Sequence, residues 1–182
     1  MANKSKKLKK KEFFEVSAPI TATKIKLYAS SQEDLIGKII KLDLTRNLRG
    51  KNLIIGLKVR KEESKLVAEP ESIILLTPYI RKMIRKGSDY VEDSFEVKCK
   101  DSDAIIKPFM ITRNKVSRTV RKIIRETAKK YLETHLKTRS SKEIFTEMIA
   151  NKLQKELSLK IKKVYPLALC EIKAFKLIEK KD

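Results

Sequence analysis

The stretch TRNKVSRTVRKIIRETAKKYLETHLK, residues 112–137, carries nine Lys or Arg residues against two Glu, and how it is read decides the fold. On a helix of 3.6 residues per turn, Val116, Val120, Ile123, Ile124, Thr127, Tyr131 and Leu132 share one side. That side is expected in a core. On the opposite side Lys115, Arg118, Lys122, Arg125 and Lys129 recur at steps of three or four, a cationic ridge roughly 20 Å long at about 1.5 Å per residue. Like charges so spaced cost a few tenths of a kcal/mol per pair. The successive pairs therefore oppose the helix by roughly 1 to 2 kcal/mol, softened by Glu126 and Glu133 at the flank. An anion outside the chain would relieve that cost, whereas a solvated helix face is the plainer alternative. Composition separates the two.

At 182 residues the chain is long enough for one good core, in one or two lobes. Its 44 Lys and Arg exceed its 23 Asp and Glu by 21, more than solubility requires, and such a field drives association with polyanions. Nucleic acid is the first class implied. An anionic membrane is the competitor, but no uninterrupted apolar run exceeds four residues, as in IILL at 73–76, far short of a span. The opening MANKSKKLKKKEFFEV has no apolar stretch of signal-peptide length, so a cytoplasmic protein is expected. Cys99 and Cys170 stand without a CxxC or a nearby His and are read as reduced core thiols, neither disulfide nor zinc ligands.

Before the basic helix the texture is of strands. Lys4, Lys6, Lys7, Lys9, Lys10 and Lys11 form a like-charge run that cannot collapse on itself, so residues 1–12 are expected to be a disordered basic arm able to order on RNA. A solubilising tail is the alternative. FFEVSAP, ATKIKLYA, GKIIKLDL, NLIIGLKVR and ESKLVAEPESIILL follow, several alternating with period two, which suggests a small antiparallel sheet or barrel. Thr77 offers an N-cap, Pro78 a first helical residue and Gly87 a stop. The helix so bounded, TPYIRKMIRK, would pack Tyr79, Ile80, Met83 and Ile84 inward and leave Arg81, Lys82, Arg85 and Lys86 outward. DSFEVKCK and AIIKPFMIT read as another strand pair, turning near Asp101 to Asp103.

After the basic helix, Ser140 with Glu143 has the spacing of a capping box. It opens a second long helix with the apolar stripe Ile144, Phe145, Met148, Ile149, Leu153 and Leu157, stopped by Pro166. LALCEIKAFKLI is then a strand returning to the sheet. The fold class expected is α+β: an antiparallel barrel-like core with a short helix inserted and two long helices packed against it. Residues 13–182 form a single domain, β-rich over 13–112 and helical over 113–165, with a final strand over 167–178.

Catalytic constellations are wanting. The one histidine, His135, lies beside the apolar side of the basic helix, without the base, orienter and nucleophile or metal that transfer chemistry needs. Acidic pairs occur at Glu33 and Asp34, Glu62 and Glu63, Glu92 and Asp93, and Asp101 with Asp103, each where a turn or strand end is expected, so surface solvation is preferred to a nuclease-type metal site. The four glycines make neither a phosphate loop nor a dinucleotide fingerprint. No catalytic residue, cofactor or metal is expected. Single-strand binders interleave aromatic stacking platforms with basic residues. Here the six Phe and five Tyr residues mostly hold core-type positions and there is no Trp. Lys and Arg in an arm and on two helices remain, the equipment for phosphate contacts and shape recognition of folded RNA. The sheet's exposed face stays open as a base contact. A free-standing RNA chaperone or nucleoid protein and an RNA-processing enzyme are the other classes weighed.

The run TPYIRKMIRKGSDYVEDSFEVKCKDSDAIIKPFMIT, the segment RKIIRETAKK, and SKEIFTEMIANKLQKELSLKIKKVYPLALCEIKAFKLI together resemble the small-subunit ribosomal protein family of the S-one-e (S-three-A-e) type. The likeness runs from KKKEFFEVSAP onward. Lacking the long C-terminal extension associated with eukaryotic members, the chain is expected to be of the archaeal type. The resemblance implies a non-enzymatic protein of the small-subunit platform, near the messenger exit and the 3′ end of the rRNA, built on a barrel-like core with packed helices. Its implied partners are small-subunit rRNA and neighbouring small-subunit proteins, with messenger RNA or initiation factors as further candidates, and no membrane. An rRNA-facing role is carried over to Lys4, Lys6, Lys7, Lys9, Lys10, Lys11, Arg81, Lys82, Arg85, Lys86, Arg113, Lys115, Arg118, Arg121, Lys122, Arg125 and Lys129.

Overall fold

A computed structural model describes residues 10–48, 50–62 and 65–178; Lys4, Lys6, Lys7, Lys9 and Glu63 lie outside them. The elements are β1 (Glu12–Ala18), β2 (Thr23–Ala29), β3 (Ile39–Asp43), β4 (Leu53–Glu62), β5 (Lys65–Leu75), α1 (Thr77–Met83), β6 (Tyr90–Glu92), β7 (Phe95–Lys98), β8 (Asp103–Thr112), α2 (Arg118–Lys137), α3 (Ser141–Ile149), α4 (Lys152–Lys162) and β9 (Leu167–Ile178). The α+β reading stands, and each expected strand segment is a strand. The chain divides into two compact units, Met1–Lys41 with Gly56–Pro70, and Leu42–Ile55 with Glu71–Asp182.

In the first unit β1 and β2 form an antiparallel hairpin, in register from Glu12 opposite Ala29 to Ala18 opposite Thr23. The tight turn between them ends at Ala22, in the left-handed region at φ 50°. The alternation of the sequence is kept: Val16 and Ala18 are buried while Phe13, Glu15 and Ser17 face outward, as a pleated strand requires. The inner edge of β1 pairs with β5 in parallel, Val16 opposite Leu66 and Ser17 opposite Val67. That pair departs from the wholly antiparallel sheet expected, because the chain between β1 and β5 is long enough to cross over.

The second unit is built on β8 and β9, paired antiparallel from Asp103 opposite Ile178 to Thr112 opposite Leu167. The register shifts between Lys107 and Pro108, since proline has no N–H for the ladder and a bulge is where a strand tolerates it. β6 and β7 both pair with β8, while β9 pairs with the C-terminal half of β5. Neither unit's ladder closes on itself among the described residues, so the barrel-like core is an open sheet. α2 packs against α4, β6 and β7, and α4 lies along β9. Phe145 of α3 meets Phe175 of β9 edge to face, ring centroids 5.1 Å apart.

Three helical expectations change. The second long helix is broken at Asn151, whose φ of 57° is left-handed, a conformation Asn tolerates at modest cost. One long-range and one local bond secure the break: the Asn151 carboxamide oxygen accepts from Lys51 Nζ at 2.7 Å, and Gln154 Nε2 donates to the Met148 carbonyl at 3.0 Å. Ser140 and Glu143 do form the capping box. In α1 the residue before the helix is Leu76, with no side-chain cap, and the helix ends at Met83. Arg85 and Lys86 therefore follow the helix, in a turn closed by Ser88 Oγ donating to the Arg85 carbonyl at 2.7 Å and by Gly87 at φ 86°, and Ile84 is exposed.

The third change concerns α2. Its buried residues are Ile124, Ala128, Leu132 and Leu136, whereas Ile123, expected inside, is 42% exposed. The buried face is turned by roughly one residue's rotation, about 100°, from the stripe of large apolar residues. Ala128 has no bulk to announce itself, yet a small side chain there fits a helix packed on its neighbours.

Lys51 and Glu171 form a buried ion pair, Nζ to Oε2 at 2.5 Å, with side chains 8% and 11% exposed. Removing one partner of such a pair strands the other charge. Lys51→Met alone is expected to cost about 3 to 5 kcal/mol in urea unfolding, and Lys51→Met with Glu171→Leu to recover most of that loss. Additive losses in the double variant would contradict the coupling.

Candidate nucleic-acid interface

The basic surface of the second unit begins where β8 ends. Thr112 is fully buried; its hydroxyl donates to the Asp89 or Asn114 carbonyl, 2.9 and 2.7 Å away, and accepts from the Asp89 N–H at 3.0 Å. The Asp89 carboxylate accepts from the Val116 N–H at 3.0 Å. This clasp sets the direction in which the chain leaves the sheet. Ser117 then caps α2, its side chain accepting from the Val120 N–H, which satisfies one of the donors a helix start leaves open.

Helix α2 begins at Arg118, so Arg113 and Lys115, expected at the head of the ridge, stand before the helix, exposed. Arg118, Lys122, Arg125 and Lys129 are exposed on one flank of it, within an arc of about 60° at 3.6 residues per turn. That flank adjoins the buried face instead of opposing it, a consequence of the rotation about the helix axis. Arg121 is half-buried. Neutralisation along the ridge is weak: Lys122 approaches Glu126 at 4.0 Å and Lys129 approaches Glu133 at 3.9 Å, exposed pairs worth about 0.3 to 0.5 kcal/mol each. Lys129 Nζ also lies 5.6 Å from the centre of the Phe95 ring. Arg118, Arg121 and Arg125 form no ion pair among the described residues.

The tertiary structure gathers further cations that sequence order separates. Arg85, Lys86 and Arg113 line one cleft of about 350 Å³ with Ser88, Thr112 and Leu169. Arg81 and Lys82 are exposed on α1. Lys82 lines a larger cleft of about 630 Å³ with Tyr79, Asn52 and the Lys51–Glu171 pair. Burial, aided by the Glu171 charge, raises the Tyr79 phenol above its ordinary value. In the first unit, Lys10 and Lys11 are exposed. The Ser88, Asp89 and Thr112 contribution had no signal in the sequence, since Thr112 and Asp89 are 23 residues apart and neither belongs to a motif.

The C-terminal half of α2 is of another character. Tyr131 donates to Glu156 at 2.7 Å, His135 Nε2 lies 3.4 Å from Glu156 and 3.9 Å from Glu147, and Arg139 pairs with Glu147. The Tyr131 hydrogen bond chiefly holds the Glu156 carboxyl below its usual value, with His135 and Arg139 adding to it against burial. The lone histidine is thus a member of the network joining α2 to α3 and α4. Of the acidic pairs, Glu92 is bonded to Lys173 at 3.1 Å through both oxygens, and Glu33 and Asp34 are exposed. No group of three or more potential metal ligands occurs among the described residues. No helix there is long and apolar enough to cross a membrane.

An α+β scaffold that displays exposed cations on a helix flank and around a cleft has the features of a polyanion-binding protein. The chain belongs to the Ribosomal S3Ae family, which it matches over residues 2–181. It is 28% identical over 175 residues to the small ribosomal subunit protein eS1 of Nanoarchaeum equitans, covering 92% of this chain and 88% of that protein. To the protein of the same name from Desulfurococcus amylolyticus it is 22% identical, covering 94% and 84%. A shorter likeness, 27% over 104 residues, links it to the eS1 protein of Methanothermobacter thermautotrophicus. The family is one of structural ribosomal proteins, so the RNA-processing enzyme is set aside.

The two cysteines, expected in the core, are free thiols but only half-buried. Burial chiefly pushes the Cys170 thiol up to about 12 and the Cys99 thiol up to about 11, which suppresses the reactive thiolate. At pH 8 both should react with iodoacetamide at least roughly tenfold more slowly in the native protein than in denaturant. Equal rates would show that the thiols are not shielded.

Proposed function

We propose that the protein is a structural constituent of the small ribosomal subunit and supports translation from the cytoplasmic ribosome. It binds folded rRNA by phosphate and shape contacts at the platform near the messenger exit. Neighbouring small-subunit proteins are its other partners, with messenger RNA or initiation factors as further contacts. The observation that carries this reading is the weakly neutralised flank of Arg118, Lys122, Arg125 and Lys129 in a chain of net charge +21 that belongs to a ribosomal family. Phosphate is the anion that relieves such a flank, because each contact releases condensed counterions. The cleft edged by Arg85, Lys86 and Arg113 supplies convergent donors for one phosphate or two, with Arg able to engage two oxygens at once. Arg81, Lys82, Lys115 and Arg121 add phosphate contacts of the second unit, and the lysines at 4, 6, 7, 9, 10 and 11 are assigned phosphate contacts of their own.

The relatives named eS1 favour a subunit component over the free-standing chaperone or nucleoid protein, which would carry the charge without a preferred particle. Sedimentation separates the two: a subunit component stays stoichiometric in the small-subunit peak near about 0.5 M monovalent salt, where weak electrostatic passengers leave. Arg118→Glu, Lys122→Glu and Arg125→Glu together should leave the free protein folded by circular dichroism and abolish its incorporation into small subunits. Normal incorporation of the triple variant would remove the ridge from the interface.

A further inference from the structure

The expectation that the aromatic residues lie mostly in the core fails at the β1–β2 hairpin. Phe13 is 70% exposed and Tyr28 58% exposed. They are directly opposite across the ladder, with ring centroids 5.0 Å apart and planes tilted by 45°. Lys11 Nζ lies 5.9 Å from the centre of the Tyr28 ring. The same outward face continues with Glu15 opposite Lys26 and Ser17 opposite Lys24, all exposed. Leaving two large rings in water forgoes the burial that usually places such side chains inside, so an external occupant is indicated.

The surroundings select it. A protein partner typically covers about 800 Å² per side around an apolar centre, but here the neighbours of the ring pair on this face are charged or hydroxylic. On that face three lysines, at 11, 24 and 26, outnumber the single acid Glu15. Two rings beside lysines match what an unpaired nucleobase and its phosphate require: a π-face of base size and cations within reach of the backbone. We infer that the Phe13–Tyr28 pair, with Lys11, Lys24 and Lys26, is a stacking site for unpaired RNA bases. This mode of contact is distinct from the phosphate contacts of α2 and goes beyond the proposed function.

The test uses the full chain with a short fluorescein-labelled oligouridylate and a matched RNA duplex, followed by anisotropy at fixed low salt. Phe13→Ala with Tyr28→Ala should weaken oligouridylate binding by about tenfold for each stacked base and leave duplex binding unchanged. Phe13→Leu with Tyr28→Leu, which keeps apolar bulk without a π-face, should weaken it as well. Since the chain has no Trp, Phe13→Trp supplies a single reporter, and stacking should quench its emission on oligouridylate addition even if the alanine variant folds poorly. Wild-type affinity in the leucine variant or an unquenched Trp overturns the inference in favour of a protein contact, and equal loss of duplex binding assigns the rings a scaffolding role. These outcomes are independent of subunit incorporation, so the ridge and the ring pair stand or fall separately.

Discussion

The pairing of β8 with β9 is the constraint on which the second unit depends. β8 leads through the Asp89–Thr112 clasp into α2, and α4 leads back into β9, so both helices are anchored to adjacent strands of one ladder. The first half of β8 alternates in burial, while Pro108 and the four residues after it are buried without interruption. A strand covered on both faces cannot slip register without moving large side chains such as Phe109 into new surroundings. The bulge at Pro108 is thereby held, and with it the position at which Arg113 leaves the sheet. The cationic surface inherits its precision from an apolar ladder.

Charge is distributed by the same logic. A chain with roughly two cations for each anion cannot neutralise every base, and burial decides where its acids go. Glu171 meets Lys51 in the interior, Glu147 and Glu156 bind the end of α2 to α3 and α4, and Glu92 holds Lys173. Glu171, Glu147 and Glu92 are wholly or partly withdrawn from water, where an unpaired charge is costly, while Glu156 is exposed and is held by Tyr131 and His135. Arg118, Lys122 and Arg125 are exposed, so leaving Lys122 with a weak partner and the two arginines without an ion pair among the described residues costs the fold little and keeps them available to an external anion. A basic surface and a stable interior are then compatible in one helix, its N-terminal half displaying charge and its C-terminal half locking structure.

Much of the architecture was legible beforehand. The period-two segments are the strands, Ser140 with Glu143 is a capping box, and LALCEIKAFKLI is β9 over its full length. Those signals are local, carried by hydrogen bonds and side-chain alternation within a few residues. The break at Asn151 was hidden because the apolar stripe of the helical segment continues through it; only the approach of Lys51, distant in sequence, shows why Asn is held left-handed there. The end of α1 at Met83 was missed for a related reason, Gly87 marking a turn that begins at Arg85, two residues after the helix stops.

What the sequence determined by itself is the kind and order of the elements, the excess of positive charge, and the amphipathic character of α2, since these follow from periodicity, propensity and composition. Which side of α2 is buried, and which of the adjacent Phe13 and Phe14 stands in water, were decided only by tertiary structure. Ile123 had the greater hydrophobicity, yet Ala128 took the buried position. Burial is a property of the neighbour's shape, and the neighbours of α2 are β6, β7 and α4, two short strands before it and a helix after it in the chain. The convergence of Arg85, Lys86 and Arg113 on one cleft has the same origin: like charges have no attraction to bring them together, and the sheet and the clasp of Asp89 on Thr112 hold them there.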